Sequence, residues 1–539
     1  MRSQFVRVAA ATVIGLLLLS LFIPAVTWLF LIVLPLVGLG VYDMVQTKHT
    51  IRRNFPILGH GRYLLEMIRP EINQYFVESN TDGMPFSRED RSLVYQRAKG
   101  VLDTVPFGTQ SNLYEPGAEW MHHSMAPIHL EDEPRVLIGE GRADHPYSLS
   151  VLNISAMSYG SLGSTAIAAL NRGAKKGAFA HNTGEGGISH YHLHGGDLIW
   201  QIGTGYFGCR TERGTFDPER FAENARQSSV KMIEIKLSQG AKPGHGGILP
   251  ASKVTPEIAR IRGVSLGRDV LSPPGHSAFS TPRGLLEFID ELRKLSGGKP
   301  VGFKLCVGKW REFLGVVKAM RETGSCPDFI TVDGAEGGTG AAPLEFSNSL
   351  GQPMTEGLVF VHNALVGADL REKIKVIASG KIITGFDIAR ALALGADACY
   401  SARGMMMALG CIQARRCNSN DCPAGVATMA PELTVGLVVE EKAPRVASYH
   451  KETVESFLEL MGAAGIDHPR KLRPWHIIRR VTFAETRHYG QLFEFLDSGA
   501  LLRGQLSEAY ARAWTLADPD TFESATELTS RGLPVVQAS

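Results

Sequence analysis

The chain has 539 residues, with 56 Lys or Arg against 54 Asp or Glu and a formal net charge of +2. That balance argues against nucleic acid or another strongly charged partner. The length exceeds one ordinary domain, although a barrel with insertions could use most of it, and the 58 glycines follow no repeat period and point to tight turns and close backbone approaches.

No residue from Val8 to Tyr42 is charged. The run is too long for one ordinary span and just long enough for two short ones. Pro24 sits near its middle, where it can make the turn of a hairpin. Arg2 and Arg7 precede the run, and Lys48, Arg52 and Arg53 come after it. Positive charge on both flanks puts both ends in the cytoplasm. Residues 1–48 are therefore predicted to form a transmembrane hairpin in the inner (cytoplasmic) membrane, with the rest of the chain facing the cytoplasm. One kinked span is the competing reading. A cleaved signal peptide would have a shorter apolar part and a small-residue cleavage site.

Residues 49–149 read as a lead-in that packs on the domain C-terminal to it. Tyr63 to Phe76 has helical character, and Thr104 to Pro146 is rich in turn formers. Over 150–430, apolar runs alternate with helical periodicity. Strands are predicted at Leu152–Ser158, Met232–Ser238, Val301–Val307, Phe329–Val332, Lys375–Ala378 and Ala398–Ser401. Ala178–Thr183 and Asp269–Ser272 complete the set. Helices are predicted at Ser164–Lys176, Pro282–Leu295, Trp310–Thr323, Met354–Leu370 and Asp387–Leu394. Eight strands alternating with helices give an α/β protein, a (β/α)8 TIM barrel with helical N- and C-terminal extensions. Residues 431–539 form the C-terminal extension, in which Pro474-Trp475-His476 and Phe493–Leu502 should pack on the barrel. The last few residues read as a loose tail.

Such barrels place their chemistry on the loops after the strands. Ser155, Ala156 and Met157 come after the first predicted strand, and small residues there let a flat ring lie against the backbone. Glu185 stands among Gly184, Gly186 and Gly187, an exposed carboxylate suited to acid/base work or gating. Lys242, on the glycine-rich turn Gln239–Gly247 after the predicted third strand, suits an anionic substrate. Lys304 lies inside an apolar strand and needs an anion or a flavin ring to pair with. Asp333 opens a glycine nest containing Gly337 and Gly338. Ser379, Gly380 and Gly385 come after strand seven, and Ala402 and Arg403 after strand eight. Backbone N–H groups on those two loops form the usual phosphate site of this fold, and the phosphate of FMN would suit it. His190, His192 and His194 alternate, but with no carboxylate at ligand spacing they read as ordinary loop histidines rather than a metal site.

Cys411, Cys417 and Cys422 lie within twelve residues, and Pro423 is next. Thiolates suit iron–sulfur clusters or zinc. Zinc would want a fourth ligand, commonly from a Cys-x-x-Cys pair, and none is present. Three thiolates suit a 3Fe-4S cluster, with structural loop cysteines as the alternative. Arg403, Arg415 and Arg416 would add positive charge near an anionic cluster. Cys209, Cys306, Cys326 and Cys399 are scattered and read as buried thiols in a reducing compartment.

Residues 150–430 resemble the FMN-binding synthase domain of glutamate synthases. The shared motifs are Ser155 to Leu162, Asn182 to Gly187, Gln239 to Gly244, Leu271 to Pro274, Glu336 to Gly340, and Leu409 through Cys422 to Thr428. The resemblance implies FMN, a 3Fe-4S cluster on Cys411, Cys417 and Cys422, and reduction of the imine formed from 2-oxoglutarate and ammonia. It implies that Lys242 and Arg262 hold substrate carboxylates and that Glu185 sits near ammonia delivery. The large synthases begin with a glutamine-hydrolysing domain whose nucleophile is an N-terminal cysteine. Here the first cysteine is Cys209. The family's lysine loop has Glu and Gln where this chain has His245 and Ile248. The pattern is similar to a shorter, membrane-attached branch of FMN-binding glutamate synthase family proteins.

The expected activity is reductive amination of 2-oxoglutarate with ammonia to glutamate by a membrane-anchored enzyme, driven by ferredoxin or another external one-electron donor. No dinucleotide-binding Gly-x-Gly-x-x-Gly unit stands after a strand, so direct use of NAD(P)H is not expected. A related amine or imine oxidoreductase and an electron-transfer subunit of a membrane complex are the alternatives. The sequence leaves a homo-oligomer open.

Overall fold

The computed structural model describes residues 1–523; the expected C-terminal tail lies outside the described residues. Two compact units divide between Glu89 and Asp90. In the first, helices Arg2–Ser20 and Phe30–Val45 are joined through Leu21 to Ile23 and a 3-10 turn, Pro24–Leu29. The Phe5 ring lies where a Cβ on Gly40 would stand, and the Arg2 guanidinium donates to the Met44 carbonyl at 3.4 Å, so the two helices run antiparallel with their outer ends together. Arg2–Ser20 and Pro24–Val45 are each long and apolar enough to cross a membrane by length and composition. After a short helix at Thr50–Asn54 comes a helix at Leu58–Ile72, longer at its N-terminal end than expected, which relaxes into a wide turn at Asn73–Val77.

The second unit is built on a closed barrel of eight strands, all paired in parallel. They are β1 (Leu152–Ile154), β2 (His181–Asn182), β3 (Leu198–Ile202), β4 (Val230–Lys236), β5 (Val301–Leu305), β6 (Phe329–Asp333), β7 (Lys375–Ser379) and β8 (Ala398–Ser401). β8 closes on β1 with Cys399 opposite Leu152. Parallel strands buried on both faces are near-continuously apolar, and every residue of β3 and β5 is buried. Ile138 and Leu149, from the hairpin Arg135–Ile138 and Tyr147–Ser150, pack with Ala180, Ile199, Met232, Phe329, Ile377, Ala398 and Tyr400 and close the barrel at the strand N-termini.

One strand expectation is corrected. Asp269–Ser272 is not a barrel strand: Val270–Leu271 pairs antiparallel with Ile248–Leu249 in an excursion after β4. The missing barrel strand is β3, Leu198-Ile-Trp-Gln-Ile202, a buried apolar run set between two glycine-rich segments. The lysine loop therefore leaves the fourth strand, not the third. The C-terminal region is also less helical than expected, because Ile477–Arg480 pairs with both Glu119–Met121 and Thr486–His488.

Caps and prolines set where helices start. Asp217, Thr255 and Thr281 accept backbone N–H groups immediately before Pro218, Pro256 and Pro282. The long helix Val439–Ala463 packs on the helices Ser164–Gly177 and Gly385–Ala393 and so completes the outer ring of the barrel. Leu501 packs on Gly367, and the Glu494 carbonyl accepts from Asn363.

Candidate active site

The C-terminal mouth of the barrel gathers most of its buried charge. Inside, Glu234 is fully buried, and it accepts from Asn182, Gln201 and Thr331 at 2.6–2.8 Å. Two residues on, at the end of β4, Lys236 reaches the Glu185 carboxylate at 2.9 Å and donates to the Gln239 amide oxygen at 2.6 Å. Burial pushes the Glu185 carboxyl up, but Lys236, then Arg262 and Lys242, hold it below the usual carboxylate range. Glu185 is thus an anion ringed by three cations.

Lys242 is 2% exposed and Arg262 4%. The Lys242 ammonium donates to the Ala341 carbonyl at 2.7 Å, and burial, then Lys236, lowers its pKa to about 8. Arg262 ends the helix Pro256–Arg262 and donates to the Ser158 hydroxyl and the Tyr159 carbonyl at 3.2 and 3.0 Å. Burial lowers its pKa to about 10. The guanidinium lies over the Phe207 ring at 5.1 Å. It explains two glycines, since a Cβ at Gly160 or Gly186 would come within 3.0 or 2.8 Å of it.

Beside this group Lys304, near the C-terminal end of β5, faces Asp333 at 3.9 Å. Asp333 accepts from the Gly240 N–H at 2.9 Å and from the Ser379 hydroxyl at 2.8 Å. The Ser379 and Ser155 hydroxyls are 3.5 Å apart. Ala156 and Met157 continue this rim, half-buried and buried. Arg403 donates to the Glu336 carbonyl at 2.8 Å, its guanidinium lies over Gly338, and the Gly337 N–H donates to Gly334. Gly380 has φ +152° beside Met354. Ala402 is half-buried immediately before Arg403. Gly385 is placed differently: it packs on the backbone of Phe457, and Asp387 already accepts the Ile383 and Thr384 N–H groups at that helix start.

The residues of this mouth fit a flavin mononucleotide. Hydroxyls just after β1 and at the end of β7, a lysine on β5 and an arginine after β8 converge on a surface lined by small residues. Four buried cations, Lys236, Lys242, Arg262 and Lys304, surround two carboxylates, Glu185 and Asp333. Excess buried positive charge calls for an anionic ligand.

The cysteine loop hangs from the end of the helix Arg403–Leu409. The Cys411 carbonyl accepts from Tyr95 at 2.7 Å, and Asn420 bonds the Ser252 carbonyl at 3.1 Å and the Met429 N–H at 2.7 Å. Gln413, Arg415 and Asn420 all have positive φ. Burial, then Cys417 and Cys422, raises the Cys411 thiol to about 11, and burial, then Cys422, raises Cys417. The three sulfurs therefore share one electrostatic neighbourhood. Among the described residues, no three His, Cys, Asp or Glu side chains converge as they would on a single metal ion. The three sulfurs are a soft donor set of the kind that suits an iron–sulfur cluster or zinc.

Three contributors escape a reading of the sequence. Lys236 carries the same signal as Lys304, a lysine in an apolar strand. Lys253, 1% exposed, donates to the Ser161 carbonyl at 3.0 Å; burial lowers its pKa to about 8, while Cys417 and Cys422 draw it back up. His276 bonds the Lys236 carbonyl at 2.9 Å and the Tyr206 hydroxyl at 3.0 Å. Nothing local in the sequence marks those last two. The alternating histidines do not form one site: His190 pairs with Glu257 at 3.1 Å, while His192 is buried and bonds Ser189.

Fold and site define a (β/α)8-barrel protein whose strand C-termini hold a buried cationic pocket beside a three-cysteine loop. The family model described as the conserved region in glutamate synthase matches residues 117–467. The chain belongs to the glutamate synthase family and is an oxidoreductase of that type. It is 39% identical over 482 residues to the glutamate synthase large subunit-like protein YerD of Bacillus subtilis, covering 82% of this chain and 91% of that one. An archaeal glutamate synthase [NADPH] of Methanocaldococcus jannaschii is 35% identical over 322 residues, 59% of this chain and 60% of that one. A ferredoxin-dependent glutamate synthase of Antithamnion is 37% identical over 235 residues, 44% of this chain but only 14% of its own length.

Proposed function

We propose that the protein is a membrane-anchored FMN and iron–sulfur oxidoreductase that converts 2-oxoglutarate and ammonia to glutamate with electrons from ferredoxin or another external donor. The observation that carries this reading is the cluster of buried cations around Glu185. One 2-oxoglutarate, one ammonium, two electrons and two protons give one glutamate and one water.

In this reading Arg262 and Lys242 bind the two carboxylates of the oxo acid, Arg262 through its planar fork and Lys242 as a point charge. Both are held by backbone carbonyls and need little reorganisation. Glu185 and Lys236, 2.9 Å apart, hold a proton between them beside the carbonyl carbon. Lys236 can supply it as the carbonyl oxygen leaves, and Glu185 can receive one from ammonium. The buried mouth excludes water and so protects an imine from hydrolysis. Ser155, Ala156, Met157, Lys304, Asp333, Ser379, Gly380 and Arg403 would hold FMN, which supplies hydride, and Cys411, Cys417 and Cys422 would hold the 3Fe-4S cluster, which passes single electrons. Residues 8–42 anchor the chain, with the barrel on the cytoplasmic side.

Ile248 favours a second reading in which the oxo acid is not 2-oxoglutarate. It sits in the short ladder opposite Leu271, and its side chain cannot donate a hydrogen bond. The test is anaerobic reoxidation of reduced protein with a panel of 2-oxo acids, with and without ammonia. Bleached flavin should regain its absorbance with 2-oxoglutarate only when ammonia is present. Reoxidation by another oxo acid alone moves the substrate, and none at all removes the reading.

A further inference from the structure

The apolar run of the first unit ends at Tyr42, and Asp43 is the next residue. Asp43 is fully buried. Its carboxylate accepts the Ile57 N–H at 2.9 Å and pairs with the His60 ring at 2.9 Å. Arg53 donates to the Met44 carbonyl at 3.3 Å, and the Arg52 guanidinium lies over the Tyr63 ring at 4.5 Å. These contacts tie the start of the helix Leu58–Ile72 to the outer end of the second apolar helix. If that helix spans a membrane, this end lies at the membrane surface.

The tethered helix is amphipathic at 100° per residue. His60 and Tyr63 turn toward the tether. Away from it, Leu64, Leu65, Ile68 and Ile72 fall on one stripe that Phe76 prolongs, with exposures of 55%, 61%, 37%, 39% and 85%. Such a continuous exposed apolar stripe marks an interaction surface. Arg62 and Arg69 border it on one side; Arg62 also meets Glu66 at 3.6 Å. Glu71 flanks the opposite edge, so the helix itself is charge-balanced, Arg62 and Arg69 against Glu66 and Glu71, and the positive excess of the segment comes from Lys48, Arg52 and Arg53 before it. An apolar stripe edged by arginines fits an anionic lipid surface.

We propose that Leu58–Ile72 lies in the headgroup layer of an anionic membrane, with Leu65, Ile68, Ile72 and Phe76 reaching the acyl boundary and Arg62 and Arg69 on lipid phosphates. The hairpin is then not the whole anchor. The inference rests on the membrane reading of residues 8–42, and its test separates the two.

Full-length protein in nanodiscs containing phosphatidylglycerol is labelled with nitroxide at Leu65→Cys, Ile72→Cys or Phe76→Cys on the stripe, at Glu66→Cys off it, and at Leu18→Cys in the hairpin. Unsubstituted protein carried through the same labelling supplies the background. Power saturation with oxygen and with a nickel chelate reads depth. The three stripe positions should favour oxygen over nickel severalfold relative to position 66, and the preference should weaken in purely zwitterionic discs. If position 18 reads hydrocarbon while the stripe reads water, the inference falls and the anchor stands. Stripe labels shielded from both reagents would mean a protein surface covers the stripe, which overturns the lipid assignment. If position 18 itself reads water, both readings fall.

Discussion

The first unit and the barrel place the same kinds of side chain in opposite ways. In the apolar helices of residues 2–45, Leu18, Phe22, Trp28 and Ile32 are 58–83% exposed, and the one buried charge is Asp43. In the barrel, leucine, isoleucine and phenylalanine fill the interior, and charge is buried where it is paired or clustered at the strand ends or, as at Glu234, where neutral side chains hydrogen-bond it. In water the first arrangement would leave a large apolar surface uncovered; in lipid it is the stable one. Local hydrophobicity therefore says which side chains avoid water, and the surroundings decide whether they turn inward or outward.

Removing residues 1–45 should break the comparison most completely. The remaining chain is expected to keep its flavin absorbance intact, because every residue assigned to the flavin lies in the second unit, and to be released from anionic membranes by salt, since only the peripheral helix Leu58–Ile72 would still hold it. Loss of flavin on truncation would tie the hairpin to the barrel fold.

Cys417→Ser should be nearly as absolute but confined to one loop. Iron content and the cluster's paramagnetic signal should vanish while most flavin stays, since the loop and the strand ends use different residues. Zinc in the unsubstituted protein would sink the cluster assignment.

Lys236→Met tests the buried pairing directly. It strands Glu185 beside a methionine, which should cost about 3–5 kcal/mol in denaturant unfolding. Lys236→Arg should recover much of that, and a loss indistinguishable from zero would show that Arg262 and Lys242 suffice to hold the carboxylate.

Lys242→Ala removes a charge-assisted contact and should weaken oxo-acid binding by about 1.5–3 kcal/mol, roughly ten- to a hundredfold or somewhat more. The same residue sets a pH dependence. Burial makes Lys242 lose its proton near about 8 rather than at its ordinary value of 10.5, so affinity should be level below that pH and fall above it. Lys242→Arg, which keeps its charge, should move the break upward. A break unchanged in Lys242→Arg would assign it to another group.

The smallest effect is expected at Ile248→Gln, about tenfold tighter 2-oxoglutarate, near the value of one net hydrogen bond. No change there, with weak turnover in the unsubstituted protein, favours a different oxo acid.

Much of the site is legible in the sequence because its residues sit in glycine-rich loops directly after apolar strands: Glu185 among glycines, Lys242 on its turn, and Asp333 at the end of β6. Lys304 stands out as a charge in an apolar run, and the same test applied to Lys236 finds it too. β3 is hard to read because its apolar run lies between turn-rich segments and no regular helix leads into it. Asp269–Ser272 mimics a barrel strand because two residues of a local ladder look like a short one. Lys253 and His276 cannot be found by pattern at all: their importance comes from what approaches them across the fold, the cysteine loop in one case and the end of β4 in the other.

By itself the sequence determined the alternation of strand and helix, the uncharged N-terminal run and the cysteine spacing, because each depends on chemistry within a few residues. Only the tertiary structure decided that Lys236, Lys242 and Arg262 share one carboxylate, that the lysine loop leaves the fourth strand, and that Asp43 meets His60. Those contacts join residues 17 or more positions apart, where closure of a barrel or pairing of helices sets the distance and local propensity carries no information about it.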